Sequence, residues 1–363
     1  MAVYIEFKGE QVELIDRDQI LYMHDKSLKQ DEWLINTFYP KKQGFANTSK
    51  VNFAELETND LLAPFVTPDA KARNIGGGGT FESQEVHAAY LKPELSIRPT
   101  DVQDQFVVNM LRNFNLIADD AVINGTLSNA EKLRICQMIN VMKNRQAIDN
   151  RKRLMAIDVL TKGYTEYESE DFAYYKADYR RSADMNVRVT TDWNVDSADV
   201  SGDFDVALDR MFDIAGVQPE ILLSTSNVYN VATRSDSFKD RFTKADGSNV
   251  VNNTLLPSFA RSANATLKGN IDGVEWWVYD AKHSLNGAKE HYIDPTTLYF
   301  IADTEGTQCQ CQIMHLDVLG APLEYYDYVD YSKNPSVLAQ IAESSPLLAP
   351  SMSNGVLALK VMA

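Results

Sequence analysis

The sequence predicts an α+β fold, in which helices are mixed with mostly antiparallel strands. Three observations carry this. The segment from Ser128 to Gly163 shows helical periodicity with a terminal signal at each end. Long stretches around it alternate apolar and polar residues at strand period, separated by glycine- and proline-rich punctuation. At 363 residues the chain is also too long for most single cores, so two or three lobes are expected.

The elements follow in chain order. Residues 1–50 show little periodicity, and KKQGFANTSK reads as loop, so this segment is expected to be weakly structured unless something ties it down. From Val51 to Pro99, β-type runs such as LLAPFVTP and AAYLKPELSI flank four consecutive glycines, Gly76 to Gly79, and are interrupted by Pro64, Pro68, Pro93 and Pro99. Proline removes a ladder donor, which assigns these strands to an edge or an isolated hairpin. Such a hairpin is marginal alone and needs a surface to lie on.

Ser128 and Glu131 fit a capping box. Ile135, Met138, Ile139 and Met142 then follow at the spacing of one buried helical face. Periodicity fades through NRQAIDNRKR, resumes with Leu154, Met155, Ile157 and Val159, and stops at Gly163. A continuous helix of this length spans about 50 Å and organises a subunit rather than decorating it.

Residues 164–195 return to alternation. YTEYESEDFAYYKADY and VRVTTDWNV are expected to form a hairpin, with Val187, Val189, Thr191, Trp193 and Val195 on one face. A helix carrying Val206, Leu208, Met211, Phe212 and Ile214 ends at Gly216, and the strand EILLST leads into the helix-like NVYNVATRSDSFKDRF. ADGSNVVNNTLLPSFARSANATLKGN reads as a long exposed loop, after which VEWWVYDA, TLYFIAD and TQCQCQIMHL read as strands. The tail adds two strand-like segments, LEYYDYVDY and VLALKVMA.

Composition narrows the function classes. With 44% hydrophobic and 24% charged residues the chain has globular composition, and its formal charge of -16 argues against a nucleic-acid or anionic-membrane surface covering much of it. Three cysteines make no disulfide framework, the first residues lack a signal's apolar core, and no run reaches the roughly 18 apolar residues of a membrane span. Synthesis in a reducing cytoplasm is the expectation.

No motif brings catalysis. A phosphate-cradling loop needs a lysine and a following helix, and GGGTFESQ supplies neither. Cys309 and Cys311 share one strand face near His315, but one C-x-C pair falls short of zinc-site spacing and reads as core. His24, His87, His283, His291 and His315 are scattered. The basic cluster Lys143, Arg145, Arg151, Lys152 and Arg153 reads first as a solvated helix face, supported by pairs such as Asp149 with Arg153. The sharper alternative is contact with an acidic neighbouring copy or with packaged nucleic acid. No cofactor and no metal are expected.

RNIGGGGTF followed by AAYLKP, VLTKGYTEY, SFKDRFTKADGSN, IDPTTLYFIAD and SPLLAPSMSNGVLALKVMA occur in one collinear order over some 300 residues. In this order the chain resembles the major capsid protein of tailed bacteriophages, in the lambda-type (phage capsid E) branch of the Hong Kong 97 fold. The resemblance implies an N-arm (1–50), an extended E-loop (51–100), a peripheral domain (101–205 and 322–363) with a spine helix at about 128–162, and an axial domain (206–321). It implies that Arg73, Asn74, Gly76, Gly77, Gly78, Gly79, Thr80 and Phe81 form the tip of the E-loop, where it meets a neighbouring copy. It places Asp246, Gly247, Ser248 and Asn249 in an axial loop. It also implies self-assembly into pentamers and hexamers of an icosahedral shell in the virion around double-stranded DNA held by weak nonspecific contact. A decoration protein, a portal and a scaffold are the further partners, with no membrane and no catalysis. An acidic hydrolase using carboxylates of 164–178, or a phage tail or tube protein, are the alternatives.

Overall fold

The computed structural model describes residues 4–7, 10–13, 32–58, 79–101, 129–169, 172–241, 264–271, 273–285 and 288–363. Two short strands, β1 (Tyr4–Phe7) and β2 (Glu10–Glu13), pair antiparallel, and α1 (Trp33–Phe38) and β3 (Lys41–Gly44) follow. Next come β4 (Lys50–Thr58), β5 (Gly79–His87) and β6 (Glu94–Ile97), then the long helix α2 (Asn129–Lys162). Strands β7 (Tyr164–Ser169), β8 (Phe172–Asp178) and β9 (Asn186–Arg188) lead to α3 (Val200–Ala215), β10 (Ile221–Ser224), α4 (Ser226–Arg234) and α5 (Asp236–Arg241). Strands β11 (Ala265–Ile271), β12 (Val274–Tyr279), β13 (Lys282–Leu285), β14 (Ala288–His291), β15 (Thr297–Ile301) and β16 (Thr307–Gln310) come next. The chain closes with β17 (Tyr326–Lys333), β18 (Ser336–Glu343), β19 (Pro346–Ala349) and β20 (Val356–Lys360).

A six-stranded mixed sheet, ordered β11-β12-β10-β15-β20-β9, organises the molecule. Its strands alternate between two cores. Leu223, Tyr299, Ile301 and Ala358 face the core that contains Met155, Ile157 and Leu160 of α2. Leu222, Phe300, Leu357 and Leu359 face the opposite core, with Phe204 and Met211 of α3 and Val228 of α4. Period-two side-chain placement therefore puts α2 and α3 on opposite faces of one sheet. The sequence reading of mostly antiparallel strands misses two parallel pairs here, β10 with β12 and β20 with β9.

The long helix matches its expected length, and 34 residues at about 1.5 Å rise span about 51 Å. It stops where Gly163 turns left-handed at φ 79°. Of its capping pair, Ser128 lies outside the described residues. The expected single buried face is a correction. Ile135, Met138 and Met142 are only half-buried, whereas Leu133, Cys136, Gln137, Ile139, Asn140, Val141, Asn144 and Arg145 are buried. Elements from both ends of the chain wrap α2, so burial follows no single stripe. Asn144 Nδ2 donates to the Gln340 carbonyl at 2.8 Å, satisfying a polar group no amphipathic pattern would put inside.

Other readings also change. Leu34, Phe38 and Tyr39 are each 1% exposed, so part of the segment expected to be weakly structured belongs to the core. The Tyr39 hydroxyl donates to the Ala156 carbonyl at 3.0 Å, and β3 runs parallel to β16, which itself pairs with β19. The expected hairpin of 164–195 closes within its first half, between β7 and β8, and only Asn186–Arg188 continue as strand, beside β20. Val195 is exposed while Val189 and Trp193 are buried. On α3 the buried residues are Val200, Phe204, Ala207 and Met211, and the expected core residues Val206 and Phe212 face solvent. The helix-like 227–242 divides at Ser235 into α4 and α5.

ATLKGN, expected as loop, is strand β11, and the tail holds four strands rather than two, because β18 and β19 lie in SVLAQIAE and PLLA. β6, read as part of the glycine-tipped hairpin, instead joins β18 in a separate three-stranded sheet with β17.

Candidate functional site

Strands β4 and β5 pair antiparallel from Lys50↔His87 to Thr58↔Gly79 and join no third strand among the described residues. Their base is seated by one face of the ladder. Val51 and Val86, directly opposite, enter the α2-side core, and Phe53 meets Tyr179 edge-to-face at 5.2 Å. The Tyr175 hydroxyl donates to the His87 carbonyl at 2.8 Å, tying the hairpin to β8. The other face carries the exposed Lys50–Glu85 pair. The base of the hairpin is therefore seated on its own subunit.

This register covers three of the expected tip residues. Gly79, Thr80 and Phe81 are strand residues paired with Thr58, Glu57 and Leu56. Arg73, Asn74, Gly76, Gly77 and Gly78 lie outside the described residues, as do Asp246, Gly247, Ser248 and Asn249. The prolines act as punctuation: Pro93 and Pro99 flank β6, and neither β4 nor β5 contains one.

The basic cluster on α2 is not a solvated face. Arg145, Lys152 and Arg153 are buried, while Lys143 and Arg151 are half-buried. Arg145 donates through Nε at 2.9 Å and Nη2 at 2.5 Å to Asp327 Oδ2, with both side chains at most 3% exposed. Lys152 donates to Glu324 at 2.9 Å and lies 3.9 Å from Asp149. The Tyr325 ring lies 5.3 Å from the Arg145 guanidinium and 5.5 Å from the Lys152 ammonium, and its hydroxyl donates to Asp149. Burial, reinforced by the charges of Asp149 and Glu324, pushes the Tyr325 pKa far up, so this hydroxyl stays a donor. Buried cations need partners. For Arg145 and Lys152 they include Asp327 and Glu324, far away in sequence, so these two cations form buried ion pairs instead of the expected solvated face.

A second buried charge holds the C-terminal strands to the segment after β5. Glu343 accepts from Lys92 at 2.8 Å, Tyr90 at 2.5 Å and Tyr328 at 2.9 Å. Cys309 and Cys311 are buried in the α2-side core, and burial pushes their thiols up to about 12 and about 11, Cys309 also feeling Cys311. They are protonated apolar packing at neutral pH. No group of three or more His, Cys, Asp or Glu that could hold a metal occurs among the described residues. Nor, among them, is any helix long and apolar enough to cross a membrane.

A cleft of about 390 Å³ opens between α2 and the β13–β14 hairpin. Arg151, Arg153, Lys282 and His283 line it, with Tyr292 and Leu154 supplying apolar surface. The Arg153 guanidinium lies 6.0 Å from the centre of the Tyr292 ring.

Residues 22–361 match the family described as phage major capsid protein E. The chain belongs to that family. Among solved structures, a protein assigned as the capsid protein of an E. coli CFT073 prophage is similar with a TM-score of 0.64 at 14% identity, covering 96% of this chain and 99% of the other. The capsid of a native GTA particle is similar with a TM-score of 0.50 at 8% identity, covering 93% and 92%. No curated protein matches the sequence. This phage major capsid protein is a structural shell protein with the α+β, Hong Kong 97-like fold that the sequence resemblance implies. None of its segments was individually diagnostic in sequence, and collinear order carried the signal.

Proposed function

We propose that this chain builds a closed icosahedral phage shell from pentamers and hexamers of itself, each copy laying its β4–β5 arm on a neighbour. The observation that carries this is a two-stranded hairpin that joins no third strand among the described residues, in a chain of the phage capsid family. Two strands are marginal alone, so the arm gains stability where a neighbouring copy covers it. Extended arms of this kind make heterologous contacts, which close a shell when the rotation closes.

On this reading residues 1–50 supply an N-arm whose Trp33–Gly44 part is docked on its own subunit. The E-loop is the β4–β5 arm with its connection, and Arg73 to Phe81 lie along its outer part. Segments 101–205 and 322–363, with β6, form the peripheral domain around α2, and 206–321 form the axial domain, with Asp246 to Asn249 toward the capsomer centre. The protein resides in the virion after assembly in the host cytoplasm, and its work is mechanical, with no catalytic step. Double-stranded DNA is held weakly, consistent with the charge of -16. Portal, scaffold and a decoration protein complete the particle.

Electron microscopy of the purified protein under assembly conditions tests this, with closed shells as the expected result. Excising residues 59–78 and joining Thr58 to Gly79 through Asn-Gly should leave a folded, soluble subunit that assembles poorly. Normal shells from that variant would remove the arm from the mechanism, and a wild-type protein that stays monomeric would remove the shell.

A further inference from the structure

We infer that the cleft between α2 and the β13–β14 hairpin receives the outer face of α3 from a second copy of this chain, an inference that rests on the capsid reading. Charge carries it first. The chain has 51 acidic and 35 basic residues, yet the described lining of this cleft contains Arg151, Arg153, Lys282 and His283 and no carboxylate. An acidic element is its complement.

The outer face of α3 is such an element. Asp205, Asp209 and Asp213 recur every four residues and are exposed. Phe212 and Val206 bracket them on the wheel, at 54% and 58% exposure. At 3.6 residues per turn these five positions share an arc of about 120°. Asp209 and Asp213 are like charges four residues apart, a spacing that destabilises an isolated helix, so this exposed pair is complementary to a cationic surface. The nearest helix cation, Arg210, is directed instead to Asp184, donating from Nε to its carbonyl at 2.8 Å. In the cleft, Leu154 and Tyr292 offer apolar surface for Phe212 and Val206 beside the cations that meet the aspartates.

Placement makes the contact intermolecular. The cleft belongs to the α2 side of the central sheet, and α3 packs on the opposite side. A subunit cannot fill its own cleft with its own α3. Two complementary patches on opposite sides of one chain produce a heterologous contact that repeats from copy to copy, as a ring requires. Duplex DNA would also favour the cations. It would leave the apolar lining and the aspartate row of α3 without a role, so the second copy is the occupant.

A charge swap tests the pairing. Arg151→Glu with Lys282→Glu, and separately Asp209→Lys with Asp213→Lys, should each lower shell yield about tenfold, because every contact then opposes like charges. Combining all four substitutions in one chain restores complementarity and should bring yield back to within about twofold of wild type. Circular dichroism and melting verify folding, which exposure of Lys282, Asp209 and Asp213 favours. A neutral Arg151→Gln/Lys282→Gln variant is the second probe and should flatten the dependence of assembly on ionic strength. Wild-type yield from the Glu variant, or no rescue in the combined chain, overturns the contact while leaving the shell intact. Normal shells from the Glu variant that retain less DNA overturn it in favour of nucleic acid. A wild-type protein that forms no shell sinks the capsid reading and this inference together.

Discussion

Replacing Asp327 with alanine removes the carboxylate that neutralises Arg145 between α2 and β17. The pair is nearly dry, with side chains 3% and 2% exposed, and Arg145 makes two of its hydrogen bonds to one oxygen of Asp327. Breaking a buried pair from one side costs about 3–5 kcal/mol, because the surviving charge stays desolvated. The Tyr325 ring 5.3 Å from the guanidinium offsets only part of this. Unfolding entropy of about 2.1 cal/mol/K per residue makes about 0.8 kcal/mol/K for the chain, so Tm should fall by about 4–7 °C. Replacing both partners by apolar residues, Arg145→Met with Asp327→Leu, should recover most of the loss, since two desolvation costs disappear with the attraction. Differential scanning calorimetry of unassembled subunits provides the assay. A Tm within 1 °C of wild type for Asp327→Ala, or a double variant as damaged as the single (thresholds of about the assay's resolution), would refute the reasoning.

Two further outcomes test other buried features. Burial pushes the Glu343 carboxyl up, but hydrogen bonds from Lys92, Tyr90 and Tyr328 outweigh it and hold the pKa below its ordinary value. A lowered folded pKa contributes stability that is present above the unfolded value of about 4.3 and lost as pH falls through the folded one. Glu343→Gln should therefore melt below wild type near neutrality and approach it in acid, and a gap that stays constant across a pH series of melts would contradict this. Gly163→Ala should destabilise more than Gly216→Ala. Both are left-handed, at φ 79° and 66°, but a Cβ at Gly163 would lie 2.5 Å from Arg181 Cβ, while Gly216 faces open space. Strain alone costs about 1–2 kcal/mol and overpacking about 1–3 more, so equal urea-denaturation losses would show that Arg181 yields freely.

Local chemistry made several elements legible. Gly163 and Gly216 end their helices because the left-handed turn that stops a helix suits glycine, and that preference is written at one position. The strands around Leu222, Trp276 and Phe300 were legible from their apolar runs. β19 escaped notice because PLLA is four residues long, all buried, and has no alternation to detect. Val206 and Phe212 were misassigned to the core because periodicity tells that a helix has an apolar face, not which of two overlapping arcs the sheet covers. Of the candidate site, the presence of a glycine-bearing hairpin was readable, but its register, which puts Gly79 opposite Thr58, was not.

By itself the sequence determined the class, the long helix with its glycine stop, and membership of a phage capsid family through the order of its segments. These depend on neighbours along the chain and on residue types in succession. Only the tertiary structure decided that Arg145 and Lys152 are interior charges rather than a solvated stripe, because Asp327 and Glu324 lie 182 and 172 residues further along. It alone put the aspartate row of α3 and the cationic cleft beside α2 on opposite sides of one sheet. Charge partners separated by half a chain leave no local periodicity, and which face an element buries is set by what arrives to cover it.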